Sequence, residues 1–221
     1  MADADGREAY KRSGAIAFRY CSRRSDTTGL SNPGGLFFTL VVLIVAALFL
    51  IYQLTQTLYQ LHLAEGERDR WQRPDAVIES LKLKEGNVVA DVGCGVGYFS
   101  LKLAPKVAER GTVLAEDILG ESLTFLWIRA FLRYQSNIRV IHGNPDDPHL
   151  PQGSVDAVLI ANSYHEFTKP LAMLDHTFRA LRSDGRLVVL DRGPRGVPEN
   201  PDAAISNQRF VSKRRDSPKR F

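Results

Sequence analysis

Cysteine is scarce, with only Cys21 in a basic stretch and Cys94 in a glycine turn among 221 residues, so a disulfide framework is not expected and neither redox compartment is indicated. The chain has no glycine-rich turn followed by Gly-Lys-Ser or Gly-Lys-Thr, which excludes a phosphate loop. No basic helix with interleaved aromatics and no nucleic-acid motif is present, so no nucleic-acid partner is expected. The formal charge of +4 is mild and gathers at the two ends. Between residues 27 and 64 there is no Asp, Glu, Lys or Arg.

Within that charge-free window, residues 36–54 read LFFTLVVLIVAALFLIYQL. Nineteen residues in a helix rise about 28 Å, close to the hydrocarbon thickness of a bilayer, and predict a single transmembrane helix. A cleaved signal peptide fits less well, because the apolar run is long and no small-x-small site follows Leu50. Residues 1–35, with six Lys and Arg and a Pro-Gly-Gly break, read as a flexible basic tail, and residues 65–73 as a charged connector.

The chain is organised around residues 87–104, NVVADVGCGVGYFSLKLA. An apolar run leads into Asp91, glycines follow at Gly93, Gly95 and Gly97, and a helical apolar period takes over at Phe99, Leu101 and Leu103. This predicts strand, tight turn and helix. The turn admits a ligand where a Cβ would collide, and unpaired N–H groups at the helix start would suit a nucleotide-like molecule with a polar tail. The dinucleotide fingerprint needs glycine where Tyr98 stands, which disfavours a nicotinamide-dependent oxidoreductase.

Further along, strand 112–115 ends in Glu116-Asp117, 19 residues after Gly97, where a carboxylate can accept both ribose hydroxyls of an adenosine. Residues 121–134 form an amphipathic helix whose Leu123, Leu126, Trp127, Ala130 and Phe131 are expected in the core. Strand 137–142 precedes a Pro-rich loop, and strand 157–161 ends in Asn162-Ser163-Tyr164-His165-Glu166-Phe167. Side chains beyond the carboxyl end of that strand face the ligand in open α/β sheets, so His165 or Glu166 is a candidate general base and Tyr164 an orienting group. No second His or Cys lies at ligand spacing, so no metal is expected. A helix over 170–181, closed by Asp184-Gly185, leads to strand 186–190.

Asp91-Val92-Gly93-Cys94-Gly95-Val96-Gly97 resembles motif I of the class I S-adenosylmethionine-dependent methyltransferases, and the likeness extends over about residues 71–193. The resemblance implies a Rossmann-like α/β three-layer sandwich around a mainly parallel sheet of order 3-2-1-4-5, in a domain taken as 65–193. It implies S-adenosylmethionine as cofactor, with Asp91, Gly93, Gly95 and Gly97 at its amino-acid portion. Asp117, or Glu116 beside it, would hold the ribose, with Asp147 at the adenine and Asn162 near the transferred methyl. In the family an Asp is more usual where Asn144 stands. Methyl transfer needs mainly alignment, so the site can work without an essential base.

Residues 194–221 depart from the family, being rich in proline and basic residues without an alternating apolar run, and read as a disordered tail. The last two strands of the family would then be missing and the fifth strand left as a bare edge for a protein partner to cover. The expected function is a membrane-anchored methyltransferase acting on a small or lipophilic acceptor; the alternative is an inactive, tethered S-adenosylmethionine-binding protein. The positive-inside rule would leave the N-terminus in the cytoplasm, whereas cofactor supply favours the catalytic domain there, and the latter is the expectation adopted.

Overall fold

The computed structural model describes residues 33–191 and 209–214. The chain divides after Thr57 into two compact units. Helix α1 (Pro33–Gln72) is the one helix among the described residues long and apolar enough to cross a membrane, and its apolar side chains over 36–52 are exposed. The expected N-terminal tail lies outside the described residues over 1–32, while 33–35 already belong to α1.

The charged stretch expected as a connector is helical as far as Gln72. Its charges are compatible with a helix because they pair along it: Arg70 with Glu67 at 3.1 Å, and Arg68 Nε donating to Gln72 Oε1 at 2.8 Å. Arg73, which precedes a proline and adopts φ 48°, ends α1, and Pro74 opens α2 (Pro74–Leu81).

From there strands and helices alternate: β1 (Val88–Val92), α3 (Ser100–Val107), β2 (Thr112–Asp117), α4 (Gly120–Leu132), β3 (Ile138–His142), β4 (Val155–Ala161), α5 (Pro170–Ala180), β5 (Leu181–Asp191) and β6 (Arg209–Arg214). The sheet order is β3-β2-β1-β4-β5-β6, with β1 to β5 parallel in the expected order 3-2-1-4-5. A strand covered on both faces must be apolar throughout, and β4 accordingly reads VDAVLIA with all but Asp156 buried. Alternate residues divide two cores. Val89, Val113, Leu159 and Val188 face α2 and α3, while Ala90, Val92, Val158 and Ile160 pack with Met173 and Leu174 of α5.

Three expectations need correction. Leu123, Leu126 and Ala130 of α4 are buried as expected, but Trp127 and Phe131 are 58% and 70% exposed. A period of 3.6 marks an apolar stripe, and these two rings fall on its flank, beyond the width that Ala115 and Leu101 cover. The helix expected over 170–181 stops at Ala180; β5 already pairs at Leu181 with Val155 and resumes at Arg186 with Ala157, so Asp184-Gly185 lie in a bulge and not at a helix end.

The third correction concerns the expected disordered tail and bare edge. Residues 209–214 form β6, antiparallel to β5 from Arg186↔Arg214 to Asp191↔Arg209. Main-chain pairing to an open edge needs no alternating apolar pattern, which is why the sequence did not reveal it. Over these residues the chain itself occupies the edge that had been left for a partner; the remainder of the expected tail lies outside the described residues.

Candidate active site

The carboxyl ends of β1, β2 and β4 converge on the glycine turn. Asp91 near the end of β1 is buried, and its Oδ2 accepts the Ser100 hydroxyl at 2.6 Å, tying the strand to α3 across the turn. Burial pushes its pKa up to about 6, with the Ser100 hydrogen bond and the Arg68 charge opposing.

The turn is held from below by the two acids that end β2. Gly95 N–H donates to Asp117 Oδ2 at 2.8 Å, Gly93 N–H to Glu116 Oε2 at 3.3 Å, and Cys94 N–H to the Glu116 carbonyl at 2.9 Å. Asp117 Oδ1 accepts Leu119 N–H at 2.8 Å. These three N–H groups of the turn are thus used within the protein, two by side-chain carboxyl groups and one by a main-chain carbonyl. Glu116 Oε1 is buried with no hydrogen-bond partner among the described residues, and burial, reinforced by Asp117 and Asp91, pushes the Glu116 pKa up to about 7.

The glycines differ in what surrounds them. All three have positive φ, but a Cβ on Gly97 would run into Leu126 and one on Gly93 into Ser163, whereas a Cβ on Gly95 would meet nothing within 4 Å. Gly93 and Gly97 serve packing; Gly95 borders open space.

At the end of β4, Asn162 turns the chain in a left-handed conformation, φ 58°, that Asn tolerates better than most residues. Its N–H donates to the Leu190 carbonyl at 2.7 Å, and Ser163 Oγ donates to the Val92 carbonyl at 3.0 Å, locking the loop against β5 and β1. The short 3-10 turn Tyr164–Glu166 follows. Tyr164 packs edge-on to Phe167 at 5.8 Å, and Glu166 is exposed, 3.8 Å from His165 Nε2. His165 Nδ1 lies 2.8 Å from Asp191 Oδ1, and its backbone N–H donates to Asp191 Oδ2, also at 2.8 Å. Asp191 thus fixes the ring with Nδ1 protonated and Nε2 directed outward as a proton acceptor.

Asp147 stands apart from this group in the loop after β3. Its Oδ1 accepts His149 N–H at 2.8 Å, its Oδ2 is 3.5 Å from His176, and Asn144 N–H donates to its carbonyl.

Sequence reasoning missed five contributors: Asp191, Glu65, Arg68, Arg129 and Gln72. Asp191 directly follows the expected strand 186–190 and carries no local sign of a role. The final turns of α1 lie over the glycine turn: the Arg68 guanidinium sits 3.9 Å above the Tyr98 ring, and Glu65 pairs with buried Arg129 at 2.7 Å, while Arg129 Nη1 donates to the Val96 carbonyl at 2.5 Å. Gln72, wholly buried, accepts Asn162 Nδ2–H at 3.0 Å. An isolated glutamine at the end of a charged run carries no signal of burial. Gln72 Nε2 and Asn162 Oδ1 remain without partners among the described residues.

These residues fit an adenosine-bearing cofactor: open space at Gly95 borders the Asp117 carboxylate at the carboxyl end of the sheet. A methyltransferase-domain family profile matches residues 90–189. The chain is 31% identical over 113 residues to an uncharacterized chloroplastic methyltransferase of Arabidopsis thaliana, covering 50% of this chain and 32% of that one. To a ubiquinone/menaquinone biosynthesis C-methyltransferase of Azotobacter vinelandii it is 29% identical over 130 residues, covering 58% and 51%. The chain thus spans about a third to a half of these relatives' length. Among solved structures, an S-adenosylmethionine-dependent methyltransferase from Aquifex aeolicus superimposes with a TM-score of 0.55 at 28% identity, over 61% of this chain and 73% of that one. That sheet order, this glycine turn and the profile match over residues 90–189 make the domain similar to the class I S-adenosylmethionine-dependent methyltransferases, and S-adenosylmethionine is the cofactor such a domain implies.

Proposed function

We propose that the chain is a membrane-anchored methyltransferase that alkylates a lipophilic, quinone-type acceptor, with His165 as general base. The observation that carries this reading is the His165–Asp191 pair at 2.8 Å beyond the end of β4. S-adenosylmethionine, when bound, supplies a methyl carbon made electrophilic by its sulfonium sulfur.

The residues divide the remaining work. Gly95 leaves room for the cofactor's amino-acid portion, with Gly93, Gly97 and Asp91 shaping the turn beneath it. Asp117 accepts the ribose hydroxyls through the lone pairs that Gly95 and Leu119 leave unused, and buried Glu116 beside it holds Gly93 in place. Asp147 caps the adenine, and Asn162, steadied by Gln72, borders the reacting end. His165 Nε2 takes a proton from the acceptor as the new bond forms, and Asp191 stabilises the resulting imidazolium. Tyr164 orients the acceptor, and Glu166, 3.8 Å from Nε2, attracts that nitrogen only once it has taken the proton. A quinol fits this arrangement, because removing a phenolic proton makes its ring carbon nucleophilic. Relatives named for menaquinone and ubiquinone biosynthesis support that class. Residues 36–54 support membrane attachment by length and composition, and the domain is assigned to the cytoplasmic side, where the cofactor is made.

The test is calorimetric titration of the full chain in nanodiscs with S-adenosylmethionine, its demethylated product and NAD, followed by incubation of methyl-labelled cofactor with a demethylated quinol. Binding of the first two alone, with label in the quinol, is expected. Cofactor binding with no transfer to quinols or other acceptors would leave a tethered binding protein.

A further inference from the structure

Of the exposed large apolar side chains outside α1 among the described residues, Ile118, Leu119, Trp127, Phe131, Leu132 and Tyr134 lie on or beside α4, and the other two are Val140 of β3 and Leu171 of α5. Trp127 and Phe131 stack with centroids 6.1 Å apart, and Tyr134, just beyond the helix, is 96% exposed. Exposed Arg133 stands among them. An aromatic surface of this kind on a monomer marks an interaction site.

The chain's own connectivity identifies the occupant. Leu58 and His62 of α1 line a surface cleft with Arg129, Leu132 and Arg133 of α4. Leu58 lies only four residues beyond Leu54, the end of the apolar run. Even fully extended, four residues reach about 14 Å, so a bilayer that holds residues 36–54 brings its headgroup layer to the C-terminal half of α4. Trp and Tyr favour that layer, having an apolar body and a polar tip, and an arginine there meets lipid phosphates.

We infer that α4 is a second, peripheral membrane contact: Trp127, Phe131, Leu132 and Tyr134 enter the interfacial layer beside the anchor, with Arg133 at the phosphates. This rests on the anchored reading of residues 36–54. It makes the domain lie against the membrane instead of turning freely on its tether, which suits an acceptor that resides in lipid.

The test uses the full chain with Trp71→Phe, which leaves Trp127 as the single tryptophan, in nanodiscs of phosphatidylcholine and phosphatidylglycerol with or without brominated acyl chains. Trp127 emission is expected to shift to the blue, to lose more than half its intensity to bromine, and to resist aqueous acrylamide; Arg133→Glu should weaken all three effects. Retention in the nanodisc with emission open to acrylamide and untouched by bromine overturns the α4 contact while leaving the anchor standing. A blue shift that depends on protein concentration and ignores bromine overturns it in favour of a second copy. Failure of the chain to remain with the nanodisc removes both readings.

Discussion

His165 and Asp191 are bound at two points, ring Nδ1 to Oδ1 and backbone N–H to Oδ2, both at 2.8 Å, so one carboxylate fixes the position and the tautomer of the imidazole together. Asp191→Asn keeps the shape but can donate to Nδ1, turning the ring so that Nε2 carries the proton. His165→Ala and Asp191→Asn are expected to lower kcat roughly 10²- to 10⁴-fold, the range for a lost general base, with cofactor affinity nearly unchanged. Single-turnover rates alongside calorimetry check this; transfer at the parent rate would remove the base.

Asp117 joins the turn to the proposed ribose site. Asp117→Ala should weaken S-adenosylmethionine binding at least tenfold and also destabilise the fold by about 1–3 kcal/mol, because Gly95 and Leu119 lose their acceptor. Calorimetry and denaturant melts read the two separately. An unchanged affinity sinks the ribose assignment.

Glu116 predicts a pH dependence. Its folded pKa near 7 lies above the ordinary value of 4.5, so the folded state holds the proton more tightly than the unfolded. Stability of the cofactor-free protein from this group should therefore fall as pH rises from about 4.5 to about 7 and then level off. Asp91, raised from 3.8 to about 6, adds in the same direction over the lower part of that window. Glu116→Gln should leave the melt little changed near pH 4.5 and stabilise the apo chain at pH 8 by at most about 3 kcal/mol, while weakening cofactor binding. Parallel pH profiles for parent and variant would contradict the buried, partly protonated state.

Gly95 and Gly97 should separate function from packing. Both have positive φ, so alanine costs about 1–2 kcal/mol at either. At Gly97 the added methyl also meets Leu126, so Gly97→Ala should unfold readily and be partly rescued by Leu126→Ala. Gly95→Ala should stay folded and lose cofactor affinity. The same thermal shift for both variants would argue against an open cradle at Gly95.

Glu65 and Arg129 form a buried ion pair, and removing one partner leaves a charge without compensation, at a cost of about 3–5 kcal/mol. Because Arg129 also grips the Val96 carbonyl, Glu65→Ala should weaken cofactor binding although Glu65 lies 28 residues before Gly93. A double-mutant cycle on melts, together with calorimetry, tests the coupling; additive effects would dissolve the pair.

What the sequence revealed follows from range. The glycine turn and the five parallel strands were legible because their signals are local: glycine spacing, short apolar runs and intervening amphipathic periods. Asp191 and Gln72 were not, since their partners lie 26 and 90 residues away and nothing near either residue announces the pairing. Trp127 and Phe131 satisfied a helical period yet face outward, because periodicity does not say how wide a stripe the neighbours cover. Strand β6 escaped notice because it pairs through the main chain.

The inward-pointing N–H groups of Gly93, Cys94 and Gly95 have a consequence for selectivity. A phosphate-binding turn offers such donors to the ligand, whereas this one has spent them within the protein, on the Glu116 and Asp117 carboxyl groups and the Glu116 main-chain carbonyl. None of these three N–H groups is left to bind a pyrophosphate. A dinucleotide would meet carboxyl groups where its phosphates need donors, so the turn suits a ligand that brings no phosphate to it.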